Sequence, residues 1–330
     1  MELSIGIDIG GTKIAFGLVD EKGTIVTKKS VQTPKGGRQE VLLILKQEIS
    51  SLLKESEIIG RSKVRGIGVG TAGQIDFKLG RVLSGTTNIR DWNNIALKDE
   101  IESQFNLPVW VDNDVNVVLL AEKKLGAAIG EDNVVCLALG TGVGGAVISG
   151  GELIRGSWGA AAELGHISLD MNGPKCNCGF RGCLEMYASG TGIAKLMKEK
   201  HEQTKSQNLK MDQTNETITS KDVFDLYMKE DSLAIEVIET MLNALTFGIV
   251  NCIHTFNPSV VILGGGVMQE GEWILQAVNK RMASTGLRSM VEPVRIVMAK
   301  LGPEAGLIGA AMQSFIYPNQ QQNLLMEGNL

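Results

Sequence analysis

Short apolar runs separated by glycine turns open the chain and predict three consecutive strands. The runs cover residues 3–9, 14–19 and 24–29, with turns at residues 10–12 and 20–23 between them. Runs of this length, bounded by turn-forming residues, are typical of a small antiparallel meander. The fold is therefore expected to begin with three antiparallel strands.

A second copy of this pattern lies more than a hundred residues further on. Apolar runs at residues 133–139, 143–149 and 152–155 surround glycine turns at residues 140–142 and 150–151. The spacing between the two turns agrees closely with that of the first copy, which predicts an internal duplication. Two related halves that face each other would form a cleft.

Between the two copies the apolar spacing changes from that of strands to that of a helix. Val41, Leu45, Ile49 and Leu52 recur at helical intervals with charged residues on the opposite side, which predicts an amphipathic helix over residues 39–55.

Two further strands and a helix are predicted before the second copy begins. The strands cover residues 64–70 and 107–111, and the helix covers residues 115–126. The Asp-Asn-Asp sequence at residues 112–114 thus lies at the carboxyl end of a strand, where open α/β sheets bind their ligands.

The remaining pattern completes an α/β fold. Residues 259–263 form an apolar run that ends in three glycines, and residues 303–315 predict a closing helix with a proline in its first turn. We predict two α/β domains and a frayed tail. The small domain is residues 1–112 plus 300–317, the large domain is residues 113–299, and the tail is residues 318–330.

Composition favours a globular protein that binds neither nucleic acid nor membrane. The chain has 330 residues, 43% of them hydrophobic, and a net charge of −5, so a general basic surface is excluded. The N-terminus lacks the pattern of a secretory signal, so we expect a cytoplasmic protein. Residues 241–256 are the longest apolar-rich stretch, but Asn243, Asn251 and His254 interrupt them, which predicts a buried helix.

A cluster of metal-ligating side chains is the most informative chemical feature. Cys176, Cys178 and Cys183 follow His166 closely, and three thiolates with one imidazole form a tetrahedral structural zinc site. A redox pair or packed thiols would be the other explanation for three of the five cysteines in one window.

Two glycine turns that follow strands carry the second set of candidate residues. Each contains a threonine, Thr12 in the first and Thr141 in the second, and can present backbone N–H groups and a hydroxyl to a polyphosphate. Either turn alone would be weak evidence, because glycine turns between strands are common. With a Mg²⁺ ion near Asp8, the pair would supply much of what phosphoryl transfer requires.

The base for such a transfer could be Asp114, at the end of a predicted strand. A carboxylate that accepts a hydroxyl proton late in the transfer needs no strongly raised pKa. The residue could equally be the N-cap of the following helix. Glu163 and Glu185 could be ordinary surface carboxylates, although their positions on either side of the cysteine cluster favour a functional role.

These motifs together resemble the ROK family of bacterial sugar kinases and repressors, and most closely its glucokinases. The resemblance runs from about residue 3 to about residue 315, and the cysteine-histidine block is its most specific part. The motifs that carry it are Asp8-Ile9-Gly10-Gly11-Thr12-Lys13, Asn113-Asp114-Val115-Asn116, Leu139-Gly140-Thr141-Gly142-Val143-Gly144-Gly145, Glu163-Leu164-Gly165-His166 and the block from Cys176 to Glu185.

The resemblance implies an actin-like, ribonuclease H-like ATPase fold, duplicated, with ATP and a hexose meeting in the cleft between two domains. Asp114 would activate the sugar 6-hydroxyl, and His166 would bind zinc through one ring nitrogen and sugar through the other. The residues implied for the other sugar hydroxyls are Asn88, Asn113, Glu163, His166 and Glu185. Those implied for ATP and Mg²⁺ are Asp8, Gly10, Gly11, Thr12, Lys13, Gly140, Thr141, Gly142, Gly264, Gly265 and Gly266.

The sequence departs from the family pattern at two positions. Asp112 stands where the family often has Glu, and Val115 where Ala is usual. Val115 could alter the back wall of the sugar pocket and so bears on sugar preference.

The main expectation is a glucose 6-kinase that forms homo-oligomers. Other functional hypotheses stay open. N-acetylmannosamine, N-acetylglucosamine, fructose or allose could replace glucose, because pocket shape decides among them. A sugar-sensing regulator would need a DNA-binding module ahead of Asp8, for which the chain offers little room. A cytoskeletal or chaperone-like ATPase on the same fold would leave the zinc cluster without a purpose.

Overall fold

A computed structural model describes residues 2–59, 63–86, 88–205 and 218–317. The chain divides into two compact units. The first comprises Met1–Gly130, Leu153–Ala161 and the segment that begins at Lys300, and the second comprises Glu131–Glu152 and Ala162–Ala299. The predicted frayed tail at residues 318–330 lies outside the described residues.

The first unit is built on a five-stranded sheet with the order β3-β2-β1-β4-β7. Strands β1, β2 and β3 form the predicted antiparallel meander, and β4 and β7 run parallel to β1. A two-stranded hairpin, β5 with β6, was not evident from the sequence pattern. The elements are β1 (Glu2–Ile9), β2 (Lys13–Asp20), β3 (Ile25–Gln32), α1 (Arg38–Ile58), β4 (Lys63–Thr71), β5 (Gly73–Asp76), β6 (Arg81–Gly85), α2 (Leu97–Phe105), β7 (Val109–Asn113) and α3 (Asp114–Leu125).

Helices cover both faces of this sheet, so its central strand is buried almost throughout. On one face α1 buries Val41, Leu45, Ile49 and Leu52, the four residues that predicted it. On the other face the closing helix packs so tightly that a Cβ at Gly68 would lie 1.7 Å from a carbonyl oxygen of that helix. Strand β1 alternates large apolar residues with smaller ones such as Gly6, where a Cβ would lie 2.3 Å from a carbonyl oxygen of the closing helix, so that helix can approach the strand closely.

The second unit repeats this plan with the sheet order β10-β9-β8-β11-β12. Strand β8 pairs antiparallel with β9 and parallel with β11, as β1 does with β2 and β4. The match in order and direction confirms the duplication. The elements that complete the chain are β8 (Val134–Leu139), β9 (Val143–Ser149), β10 (Glu152–Leu153), α4 (Glu185–Ala188), α5 (Gly190–Lys205), α6 (Ser220–Tyr227), α7 (Ser232–Phe256), β11 (Val260–Gly264), α8 (Glu272–Met282), α9 (Arg288–Val291), β12 (Arg295–Met298) and α10 (Ala305–Ile316).

The boundary between the units differs from the predicted break after residue 112. Helix α3 belongs to the first unit because it packs on α10, where a Cβ at Gly309 would lie 1.8 Å from the Val117 carbonyl oxygen. Ala121 and Ala311 extend this contact. Small residues on both helices allow the close approach, and the sequence pattern of α3 alone does not show its partner.

Helix α7 is, within the described parts of the chain, the one helix long and apolar enough to cross a membrane. About 61% of its most apolar window is buried inside the second unit, and its buried residues include Met241, Leu245 and Ile249. This burial is that of a core helix, as the polar interruptions predict.

Candidate active site

The first group of predicted site residues lies at the carboxyl edge of the first sheet. Asp8 on β1 pairs with Gly70 on β4, which in turn pairs with Asp112 on β7. The strands are parallel, so they all end at this edge, and Asp114 begins α3 directly after β7. The geometry therefore brings Asp8 and Asp114 to one side of the unit.

The two carboxylates influence each other electrostatically. Burial, and to a smaller extent the negative charge of Asp114, raise the pKa of Asp8 from 3.8 to about 6, although Lys13 opposes this shift. Burial also raises the pKa of Asp114, against the effect of its hydrogen bond from the Val115 backbone N–H. Neighbouring carboxylates that resist ionisation are a donor set that a hard divalent cation would stabilise.

We expect replacement of Asp8 by Asn to stabilise the unliganded protein at neutral pH. The folded-state pKa of Asp8 lies above the unfolded value, so this carboxylate destabilises the fold above pH 6, and the penalty disappears as pH falls through the window from 6 to 3.8. The variant should gain on the order of 1–3 kcal/mol at pH 7.5 and less at pH 4. Thermal unfolding at both pH values measures the gain; an equal gain at both would contradict the assignment.

The first glycine turn is closed by backbone and side-chain hydrogen bonds. Gly10 N donates to the Lys13 carbonyl oxygen over 3.0 Å, and the Thr33 hydroxyl donates to the Gly10 carbonyl oxygen over 2.7 Å. The Asn88 side chain lies against this turn, because a Cβ at Gly11 would be 2.5 Å from Asn88 Nδ2. A predicted sugar contact and a predicted phosphate turn are thus neighbours in the first unit.

Asn113, rather than Asp114, is the N-cap of α3. Its Oδ1 accepts hydrogen bonds from the backbone N–H groups of Val115 at 2.8 Å and Asn116 at 3.2 Å, and its Nδ2 donates to the Gly73 carbonyl oxygen at 3.0 Å. The role of helix cap, one of the two that the sequence left open for Asp114, therefore belongs to Asn113. Asp114 is held at the first helical position by this cap.

An ion pair between the partly buried Arg155 and the buried Asp112 had no signal in the sequence. Arg155 donates to Asp112 Oδ2 through Nε at 2.9 Å and Nη2 at 2.7 Å. The two residues are 43 positions apart and lie in segments with different predicted domain assignments, so the pattern of either gave no indication of the contact.

In the second unit, two predicted nucleotide segments meet at the ends of parallel strands. Gly264 ends β11, and Gly265, with φ of 88°, packs on the backbone of Leu139 at the end of β8. The turn after β8 is closed by Gly140 N donating to the Gly142 carbonyl oxygen at 2.8 Å. Both Gly140 and Gly266 have open space where a Cβ would be. The backbone of this region is therefore accessible to a ligand.

The start of β9 joins this turn to the predicted sugar residues. Glu185 Oε2 accepts from the Val143 backbone N–H at 3.0 Å. The turn that carries Glu163 and His166 packs on the same residue, because a Cβ at Gly165 would lie 1.9 Å from the Val143 carbonyl oxygen. Glu163, His166 and Glu185 are thus held around one strand end in the second unit.

The cysteine-histidine cluster has the geometry of a four-ligand metal site. The ligand atoms of His166, Cys176, Cys178 and Cys183 lie within 4.8 Å of one another. Cys176 Sγ is 3.6 Å from His166 Nδ1, and Cys178 Sγ is 3.6 Å from Cys183 Sγ. The histidine therefore turns Nδ1 toward the thiols, which leaves Nε2 for another partner. Three sulfurs and one imidazole fit a tetrahedral zinc ion.

The backbone around the thiols forms a tight knuckle. Cys176 N donates to the Phe180 carbonyl oxygen at 2.9 Å, and Gly179 N donates to the Cys176 carbonyl oxygen at 3.2 Å. Burial raises the pKa of the Cys183 thiol to about 12, whereas a backbone hydrogen bond from Phe180 lowers the pKa of Cys178. A bound cation would favour the thiolate form of both.

The predicted site residues therefore form two groups, one on each unit. The first unit holds the residues of the first turn with Asp8, Asn88, Asn113 and Asp114, and the second holds the second turn, the three glycines after β11, the carboxylates and the metal ligands.

Comparison with known proteins identifies the family. The model of the ROK family matches residues 4–314 of the chain. The chain belongs to the ROK family. ROK members share the actin-like ATPase fold, and the duplicated sheets are the two halves of it.

Similar ROK proteins include both kinases and regulators. A glucokinase of Thermotoga maritima is 35% identical over 309 residues, which cover 93% of this chain and 95% of that protein. The crystal structure of a ROK glucokinase from Streptomyces griseus, in complex with glucose and AMPPNP, matches with a TM-score of 0.78 and 35% identity, covering 96% of this chain and 100% of that one. A xylose repressor of Bacillus subtilis is 30% identical, and the match covers 93% of this chain and 75% of the repressor.

Proposed function

We propose that this ROK protein is an ATP-dependent hexokinase that transfers the γ-phosphoryl group of Mg-ATP to the 6-hydroxyl of glucose. The observation that carries the proposal is that Asp114 lies near Asp8 and the first glycine turn at one sheet edge. Full-length similarity to glucokinases supports the choice of glucose.

Asp114 would act as the general base. Its carboxylate stands at the first position of α3, oriented by the Asn113 cap, and burial raises its pKa. A carboxylate of raised pKa accepts the hydroxyl proton more readily as the new O–P bond forms. As the sugar oxygen attacks the γ-phosphorus and the bond to the ADP oxygen breaks, the proton passes from the sugar oxygen to the Asp114 carboxylate.

The glycine turns would hold the phosphates. Gly11 and Thr12 in the first unit, and Thr141 and Gly142 in the second, would offer backbone N–H groups and hydroxyls at strand ends, and Gly140 would leave room for a phosphate to approach. Asp8, beside Asp114, would hold the magnesium ion that neutralises charge on the transferred group.

The zinc ion would be structural and would orient a sugar contact. With Nδ1 of His166 on the metal, Nε2 carries the proton and is available as a hydrogen-bond donor to a sugar hydroxyl. Glu163 and Glu185, held near the same strand end, would accept hydrogen bonds from other hydroxyls. Asn88 and Asn113 would complete these contacts from the first unit.

The cytoplasmic location, a role in glycolysis and self-association are parts of the same proposal. The relatives that support it are metabolic kinases, and association of copies would be measured by the molar mass of the protein in solution.

A sugar panel with a coupled ADP-release assay tests the proposal. We expect Mg-ATP-dependent turnover with glucose that exceeds turnover with mannose, fructose, allose, N-acetylglucosamine and N-acetylmannosamine. Preference for an N-acetylated sugar would keep the mechanism and change the substrate. Absence of turnover with every sugar would contradict the proposed kinase activity and favour a sugar-sensing role like that of the repressor relative.

Replacement of Gly140 by Ala should weaken ATP binding without affecting the fold. A Cβ at this position meets no heavy atom within 4 Å in the protein, so stability should change by less than about 0.5 kcal/mol. If phosphate approaches this backbone, the methyl group should raise the KM for ATP about tenfold, which corresponds to a loss of about 1.4 kcal/mol of binding free energy. Steady-state kinetics and thermal unfolding measure both; an unchanged KM for ATP would place the phosphate elsewhere.

A further inference from the structure

Asp112 is a buried carboxylate, and each of its two oxygens accepts two hydrogen bonds. One oxygen accepts from Arg155 and the other from two residues at the start of α3. Asp112 is 1% exposed. Its Oδ2 receives the forked guanidinium of Arg155 at 2.9 and 2.7 Å. Its Oδ1 accepts from the Asn113 backbone N–H at 2.8 Å and from Asn116 Nδ2 at 2.8 Å. One carboxylate thus connects an arginine to the start of α3.

Arg155 is itself fixed on three sides. Its guanidinium lies 3.7 Å from the centroid of the Phe77 ring, and Nη2 donates to the Tyr317 hydroxyl at 2.7 Å. Burial lowers the pKa of Arg155, but Asp112 and Tyr317 outweigh burial and raise it, so the side chain stays cationic. A planar cation stacked on an aromatic ring and forked onto a carboxylate has little freedom to move.

The contacts lead from Arg155 to the residue that we propose as the base. Asn113 is the cap of α3, and Asn116 lies in its first turn, where Asp114 is the first residue. Asp112 holds the backbone of Asn113 and the side chain of Asn116, and Arg155 holds Asp112. Displacement of Arg155 would leave Asp112 free to rotate or to recruit water, and the first turn of α3 would keep its Asn113 cap but lose this second support.

We propose that Arg155 is a positioning residue for phosphoryl transfer, which orients Asp114 through Asp112 and the first turn of α3. The proposal rests on the proposed function of Asp114. A base that is misplaced by a fraction of an ångström loses much of its effect on rate, while contacts that bind the substrate are retained. The effect of Arg155 should therefore appear in kcat more than in KM.

Arg155 lies on a short segment that returns to the first unit between two parts of the second. It lies on Leu153–Ala161, a nine-residue segment of the first unit whose neighbours on both sides in the chain belong to the second unit. A Cβ at Gly159 would lie 1.8 Å from the Ile75 carbonyl oxygen, so this segment packs closely on the hairpin that also carries Phe77 after β5. Arg155 therefore connects Asp112 to a segment that joins the two units along the chain.

Steady-state kinetics of Arg155→Lys, compared with the same substitution at a control arginine, tests the proposal. The variant keeps the charge but loses the fork and the stacking, and we expect kcat to fall about 10- to 100-fold with the KM for sugar changed less than about threefold. Arg65→Lys is the control: Arg65 also pairs with a carboxylate, Glu2, and contacts Phe315, but it lies near the opposite end of β4. It should leave kcat within about twofold.

Two further readouts separate positioning from general loss of structure. In Arg155→Lys, hydrogen exchange should quicken at the backbone amides of the first turn of α3 and stay unchanged in the second unit. The double variant Arg155→Lys with Asp112→Asn should be no slower than the slower single variant, because both act through one contact.

The possible results are distinct. A wild-type protein without turnover contradicts the proposed function. An active wild type with an equally active Arg155→Lys variant contradicts the positioning role alone, as does a variant in which KM rises as much as kcat falls.

Discussion

Replacement of Asp114 by Asn should lower kcat by about 10²- to 10⁴-fold, the typical contribution of a positioned general base. The amide oxygen of Asn can still accept the hydrogen bond that Asp114 Oδ1 receives from the Val115 backbone N–H, at 3.0 Å in the native protein. Asn113 remains the helix cap, so the fold should be preserved. Coupled kinetics with the preferred sugar measures the loss, and calorimetric titration measures sugar binding, which should be retained within about threefold.

Asp231→Asn is the matched control for this experiment. Asp231 also stands at the start of a helix, where its side chain accepts from the Ala234 backbone N–H at 2.9 Å, but it lies at the N-terminus of α7. Asn is as good an N-cap as Asp, so this variant should keep both stability and kcat. If Asp114→Asn loses sugar binding and activity together, Asp114 contributes to the shape of the site rather than to proton transfer.

Replacement of Cys178 by Ser should release the metal and destabilise the second unit by on the order of 3–5 kcal/mol. Cys178 is exposed, unlike Cys176 and Cys183, so the substitution removes almost no packing. A large effect would therefore come from the metal alone. Zinc content by atomic absorption and chemical unfolding of the second unit measure the two effects, and a chelator on the wild-type protein should reproduce them.

Cys252→Ala provides the control cysteine. Cys252 is buried on α7 and is not among the four clustered ligands, so this variant should lose about 1 kcal/mol of packing and keep its zinc. A Cys178→Ser protein with full metal content and full stability would refute the metal cage. A protein that loses metal but keeps its stability would show that the knuckle folds through its backbone hydrogen bonds.

Local pattern was sufficient to predict the elements that carry the site. The meander at the N-terminus, its second copy and helix α1 each depend on residues close together in sequence, and the structure confirms all three. The four candidate metal ligands were recognisable because His166 and the cysteines lie within one short segment. The glycine turns were found by the same kind of local signal.

Contacts between distant segments could not be predicted in this way. The ion pair of Arg155 with Asp112 depends on a segment that returns to the first unit after a strand hairpin. The Asn113 cap depends on whether the side chain of Asn113 or that of Asp114 accepts the free N–H groups of the helix. The extent of the first unit was missed for the same reason, because Gly309 and Val117, which are in contact, lie far apart in sequence. Backbone geometry, more than residue type, decides these cases.

The chain passes between the two units four times, after Gly130, Glu152, Ala161 and Ala299. No single cut by a protease at one of these points can therefore release either unit as a separate fragment, since the other passages still join them. Neither unit is encoded by one continuous stretch of gene, so simple truncation cannot produce it either. Genetic exchange of the second unit between relatives would require at least two inserted pieces, which favours inheritance of both units as a whole.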